Sequence, residues 1–167
     1  MPMVPFVERF PELGSRETRI ITVPPGECLP PGEYAFVEMY CSEPGCDCRR
    51  VTISVFRPDT GWNRVWATIS YGWESLDYYR KWGGDWNDPT EMKGAELDPL
   101  NEQSPYADAL LDVFRHVIHS PGYVERIQRH YRMFRQAIDA KSGLETNRLE
   151  NRRNRLRDPR RRGKKRR

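Results

Sequence analysis

The chain has 167 residues and a formal net charge of +4, enough for one domain with a real core and too few for two full ones. Residues 141–167 hold 13 Lys/Arg against Glu145, Glu150 and Asp158, a net of +10, while the other 140 residues net −6. An acidic body excludes a uniformly basic nucleic-acid domain and leaves the tail as the polyanion-seeking part; no apolar run reaches the roughly 18 residues that span a bilayer, and no signal-peptide core is present, so the expected setting is cytoplasmic with no membrane partner.

In chain order, residues 1–17 offer Phe6, Val7, Phe10 and Leu13 to cover a core edge. Arg19 to Val23 reads as a short strand, and the Pro- and Gly-rich stretch 24–32, which holds Cys28, as a loop. Glu33 to Cys41 is a second strand, with Ala35, Val37, Met39 and Cys41 on one face by period two. Val51, Ile53 and Val55 alternate in the next strand, and Val65, Ala67, Ile69 and Tyr71 in the one after. Consecutive strands joined by short turns predict an antiparallel meander.

Helical signals follow. Glu74 to Trp82 is a short helix stopped by Gly83-Gly84, and residues 85–101 form a polar loop clamped by Trp86 and Leu97. Ser104-Pro105 opens a helix striped by Leu110, Val113, Phe114, Val117 and Ile118. Ser120-Pro121 opens another, striped by Val124, Ile127, Tyr131, Phe134 and Ile138, with Gly143 as its stop. The expected fold is therefore α+β: a small antiparallel sheet with a Cys-rich hairpin, covered by two or three C-terminal helices. The domain should occupy residues 1–143 and a basic, mostly disordered tail 144–167.

Tyr40-Cys41-Ser42-Glu43-Pro44-Gly45-Cys46-Asp47-Cys48-Arg49-Arg50 packs three of the four cysteines into eight residues. Pro44-Gly45 suits the centre of a tight turn that folds Cys46 and Cys48 back towards Cys41. Three thiols from one piece of backbone are an economical zinc site, because zinc takes thiolate and imidazole donors in a tetrahedron. Cys28 precedes a strand about 25–30 Å long and should lie at its far end unless the loop doubles back, which argues against it as fourth ligand. Of His116, His119 and His130, the last is the first choice, since it flanks the apolar stripe of the second long helix; Asp47 or a water is the alternative. The expected metal set is Cys41, Cys46, Cys48 and His130. Reduced structural thiols, or a redox pair at Cys46 and Cys48, are the competing readings.

The run Glu38 to Cys41, then Cys46 to Val51, then Trp66-Ala67-Thr68-Ile69-Ser70-Tyr71-Gly72-Trp73-Glu74 resembles a family of bacterial proteins of uncharacterised function, over roughly Val4 to Tyr131. The resemblance implies a bacterial, cytoplasmic setting and a relation to proteins with a C-terminal zinc motif of the SEC-C type. The tail here has no cysteine, so no second zinc site carries over.

Meander topology places Trp73, Glu74 and Asp77 at the cysteine end of the sheet, where a carboxylate beside an open zinc would act as a base. The aromatic run from Trp62 to Trp86 suits either a base-stacking platform or, preferably, the core. Eleven of the sixteen residues from Arg152 to Arg167 are Lys or Arg, a density that binds RNA, DNA or another polyanion by counterion release or lies back on the acidic body. The function expected is a zinc-stabilised, non-enzymatic binding protein; the alternative is a thiol redox protein or zinc-dependent enzyme.

Overall fold

A computed structural model describes residues 2–84, 88–101 and 103–157, with side chains as far as residue 143. Its elements are β1 (Met3–Pro5), α1 (Phe6–Arg9), α2 (Pro11–Glu17), β2 (Arg19–Val23), β3 (Gly32–Cys41), β4 (Arg50–Arg57), β5 (Gly61–Gly72), α3 (Leu76–Gly83), α4 (Pro89–Met92), β6 (Gly94–Leu97), α5 (Ala107–Val117) and α6 (Tyr123–Arg157). The fold is α+β, as the alternation and helix signals require. β3, β4 and β5 form the expected antiparallel meander, with β6 beyond β5.

The other side of β3 is shared. β1 pairs with Met39 to Cys41 and β2 with Gly32 to Phe36, so the two lie end to end along one edge. Between them the chain leaves the sheet opposite Val37 and Glu38 to make α1 and α2. Proline at the start of α2 costs no helix hydrogen bond there, and Gly14 lets α2 approach α1: a Cβ at Gly14 would stand 2.6 Å from the Val7 Cα. Phe6, 2% exposed, anchors this insertion in the core.

Period two along β3 turns Tyr34, Phe36, Glu38 and Tyr40 towards the helices, and Ala35, Val37, Met39 and Cys41 towards the opposite face. Val51, Ile53 and Val55 of β4 and Ala67, Ile69 and Tyr71 of β5 share the helix-facing layer. Leu110, Leu111, Phe114 and Val117 of α5, and Ile127, Tyr131 and Phe134 of α6, complete it, all buried. Phe114 touches both Phe36 and Tyr71, with ring centroids 6.1 and 5.8 Å apart. Trp66 joins this core, edge-on to Tyr34 at 5.9 Å, whereas Trp62 is 57% exposed; Trp86 lies outside the described residues.

Three expectations change. The expected loop of residues 85–101 contains α4 and β6, whose Leu97 pairs with Ile69. Residues 3–17 are built into the sheet edge rather than merely laid on it. α6 continues through Gly143 to Arg157; a helical glycine costs about 1 kcal/mol relative to alanine, and the Leu-, Glu- and Arg-rich sequence after it favours helix. The expectation for residues 158–167 lies outside the described residues.

Gly72 fixes how α3 and α4 close the cysteine end of the sheet. A Cβ there would stand 2.0 Å from the Met92 carbonyl oxygen and 2.5 Å from the Tyr79 hydroxyl. Gly72→Ala should therefore destabilise by about 3 kcal/mol, read from the midpoint of a urea transition. An unchanged midpoint would contradict this packing.

Candidate thiol centre and a buried carboxylate–imidazole cluster

Cys41 ends β3 and Cys48 stands two residues before β4. Between them the Cys46 N–H donates to the Glu43 carbonyl at 3.2 Å, closing a turn on Pro44 and Gly45, the latter at φ +73°. This is the turn expected of Pro-Gly. The Cys41, Cys46 and Cys48 thiols lie near enough to influence one another's ionisation. All are free thiols; Cys41 and Cys48 are buried, Cys46 is half-buried, and Cys28 is exposed. Cys28 lies before the start of β3, with the length of that strand between it and Cys41.

α6 and α3 hold this loop in place. Arg135, 7% exposed, donates to the Cys41 carbonyl at 2.9 Å and pairs with Asp139 at 2.7 Å. Asp139 in turn accepts from the Gly45 N–H at 3.0 Å. The Tyr131 hydroxyl accepts from the Arg49 N–H and donates to Asp47, each at 3.3 Å. From α3, Tyr78 donates to the Asp47 carbonyl and Tyr79 to that of Arg49.

Arg49 carries the sharpest bend, at φ +47°, a conformation that costs a non-glycine residue about 1–2 kcal/mol. Its side chain offsets that cost with two bonds to Asp47 at 3.0 and 3.1 Å and one to Glu74 at 3.1 Å. The guanidinium also sits 4.6 Å from the Tyr78 ring centre. Such over-determined strain is characteristic of functional segments.

Burial raises each of the three thiols above its ordinary value of 9.0, against smaller opposing effects from backbone hydrogen bonds and neighbouring arginines. Near neutral pH the metal-free thiols are therefore protonated. A redox or nucleophilic cysteine needs the opposite, a thiol lowered by positive surroundings. Among the described residues no group of three or more His, Cys, Asp or Glu side chains is already disposed around a metal position.

The expected fourth ligands are engaged elsewhere. Asp47 is held by Arg49 and Tyr131. His130, 1% exposed, places Nδ1 2.6 Å from Glu38 Oε2 and Nε2 2.9 Å from Glu17 Oε2. Both contacts are hydrogen bonds at once only when each shared position carries a proton, so neither nitrogen is left with a lone pair aimed at a metal. Glu38, to which His130 is bonded, also faces away from the Cys41 side of β3. The structure thus brings together Cys41, Cys46 and Cys48 and places His130 in a separate cluster. His116 and His119 are exposed near the end of α5. Glu74 reaches the cysteine end as expected but pairs with Arg49, while Asp77 pairs with Arg80 at 2.6 Å.

The His130 cluster is the feature that sequence reasoning missed. Glu38 Oε2 also accepts from the Tyr40 hydroxyl at 2.8 Å, and Arg126 Nε lies 3.8 Å from Glu38 Oε1. Arg129 pairs with Glu17, and the imidazole stacks on Phe6 with centroids 4.1 Å apart. Six charged or titratable side chains from α2, β3 and α6 thereby close the break in the edge strand. Burial pushes the Glu17 carboxyl up, but its His130 hydrogen bond and the charges of Arg129, His130 and Arg126 outweigh this and leave it below 4.5. The available signal was parity: Glu38 alternates in phase with Phe36 and Tyr40, a carboxylate on the inward face.

Comparison of the chain with known protein families, with curated proteins and with solved structures finds no match.

Proposed function

We propose that the protein is a non-enzymatic binding module whose Cys41, Cys46 and Cys48 loop takes up one zinc ion and whose basic C-terminal segment contacts RNA, DNA or a ribonucleoprotein. The observation that carries the metal is the clustering of three thiols on a loop that α3 and α6 clamp from both sides. The thiols are held protonated, and zinc would displace those protons as it draws the sulfurs into its tetrahedron. Water or an external donor completes the coordination, because His130 and Asp47 are committed to other partners. A redox role fits less well, since burial suppresses the thiolate that such chemistry requires. A reducing cytoplasm suits four free cysteines. No described helix is long and apolar enough to cross a membrane.

The nucleic-acid part rests on charge: net +10 over residues 141–167 against −6 elsewhere. Binding should be non-specific in sequence and steeply salt-dependent. If about six phosphates are neutralised, affinity for a single-stranded RNA should fall about 300-fold between 50 and 200 mM salt. A chain truncated after Glu150 should stay folded and lose most of that affinity, measured by fluorescence anisotropy. Equal binding by both forms, or none by the full chain at low salt, would overturn the assignment.

A further inference from the structure

Three polar side chains at the start of α6 hold buried donors that bond to nothing among the described residues. Tyr123 is 4% exposed and its hydroxyl has no partner. The same is true of Arg19 Nε and of Arg126 Nε and Nη2. Register brings these side chains together. Arg19 stands opposite Phe36, on the helix-facing side of β2, and its Nη2 donates at 3.3 Å to Ser120 Oγ, in the turn that leads into α6. Arg126 follows in the first turn of that helix. The two guanidinium carbons lie 5.9 and 4.7 Å from the centre of the same Tyr123 ring. Arg19 makes no ion pair among the described residues. Arg126 has only Glu38, with Nε 3.8 Å from Oε1, and the other oxygen of Glu38 already serves Tyr40 and His130.

Folded chains pair their buried donors, and buried cations above all, so the missing partner is an acceptor with negative charge. We propose that Arg19, Tyr123 and Arg126 bind a phosphoryl group, as free phosphate or as the head of a small phosphomonoester. Four unpartnered donor atoms on three side chains suit a tetrahedral oxyanion, whereas one guanidinium fork already fills a flat carboxylate. The start of α6 adds to this preference, because the first amides of a helix lack partners within it and favour anions. Burial and the charge of Glu38 push the Tyr123 hydroxyl above its ordinary 10.0, against the opposing charges of Arg126 and Arg19, so at neutral pH it is a donor. The ligand enters from the rim, where the Arg126 side chain is 20% exposed and Arg19 is half-buried. Neither guanidinium is locked by a bidentate carboxylate, so rotation of two flexible side chains admits it. The inference does not depend on zinc or on the basic tail.

The test is calorimetric titration of the full-length protein with inorganic phosphate, at an ionic strength held constant with chloride, and with acetate as the flat-anion control. Saturable binding is expected, at least about tenfold tighter for phosphate than for acetate. The basic tail attracts any anion, so the decisive comparison is between full-length variants. Arg126→Gln and Arg19→Gln should each weaken phosphate by about tenfold or more. Tyr123→Phe keeps the buried ring and removes only the hydroxyl; it should weaken phosphate about threefold to tenfold. Without phosphate, Tyr123→Phe should melt no lower than the wild type, because it deletes an unpaired donor, an outcome that a purely structural hydroxyl would not give. No saturable binding, equal binding of phosphate and acetate, or variants that bind phosphate as the wild type does would overturn the proposal. A single-stranded RNA without a terminal phosphate that loses affinity equally in Arg126→Gln and Tyr123→Phe would place these residues on a nucleic-acid surface and overturn a small-ligand site. Zinc content and RNA binding of the wild type, measured on the same preparation, separate failure here from failure of the proposed function.

Discussion

Cys46→Ser is expected to leave the metal-free protein almost as stable as the wild type and to remove the stabilisation that zinc confers. Cys46 is half-buried on an exposed turn, and in the absence of metal a surface-like substitution there should change stability by no more than about 0.5 kcal/mol. With free zinc about a thousandfold above its dissociation constant, the wild type should gain about 4 kcal/mol, because the ion binds the folded chain alone. The serine variant should show little of this gain. Cys41→Ser should also lose it, but its buried position adds a cost of its own in placing a hydroxyl among apolar neighbours. Cys28→Ser should behave as wild type. Urea unfolding of the four proteins with zinc and with chelator reads all of these quantities, and a wild-type transition indifferent to zinc would refute a metal-stabilised fold.

His130→Ala is expected to destabilise by about 3–5 kcal/mol, the range for removing one member of a buried ionic group. Two carboxylates, Glu17 and Glu38, would be left facing the cavity that the ring vacates, with Arg126 and Arg129 as their compensation. Phe6 would lose its stacking partner, so the α1–α2 insertion should loosen first. Amide exchange in residues 6–17 should therefore accelerate more than in β4. The folded fraction of the variant should still bind zinc, since His130 is held by carboxylates rather than by the thiols.

The same cluster sets an acid limit. The folded-state value of Glu17 lies below its ordinary 4.5, so its contribution is complete above that value. It is lost as pH falls through the lower folded-state value. Wild-type stability should accordingly decline below pH 4.5, and Glu17→Gln should flatten part of that decline. A pH profile identical in the two proteins would contradict the cluster.

The parts of this structure legible in the sequence are those encoded within a few residues. β3, β4 and β5 follow from period two and the turn at Pro44-Gly45, and the three converging thiols follow from the same turn. Phe114 and Phe134 fall on their helix stripes because 3.6-residue spacing is local. β1, α1 and β6 have only three or four residues each, too short to show a period; β1 and β6 exist because β3 and β5 offer them edges, and α1 because Phe6 is anchored in the core. The Glu17–His130–Glu38 cluster joins residues separated by 113 and 92 positions, which no spacing rule reaches. His130 was legible as a residue beside an apolar stripe. Metal ligation and carboxylate pairing make the same demand on that position, and only the path of α6 across β3 separates them. Glycine at position 143 permits a helix stop; the residues after it decide whether one is used.

The most direct measurement is the zinc content of the full-length chain purified under reducing conditions, combined with the X-ray absorption spectrum of the bound metal. One zinc per chain is predicted, with three sulfur neighbours at about 2.3 Å, no loss of metal in His130→Ala, and loss in Cys46→Ser. A chain that carries no zinc and takes up none when it is supplied, or a spectrum without sulfur neighbours, would contradict the thiol centre.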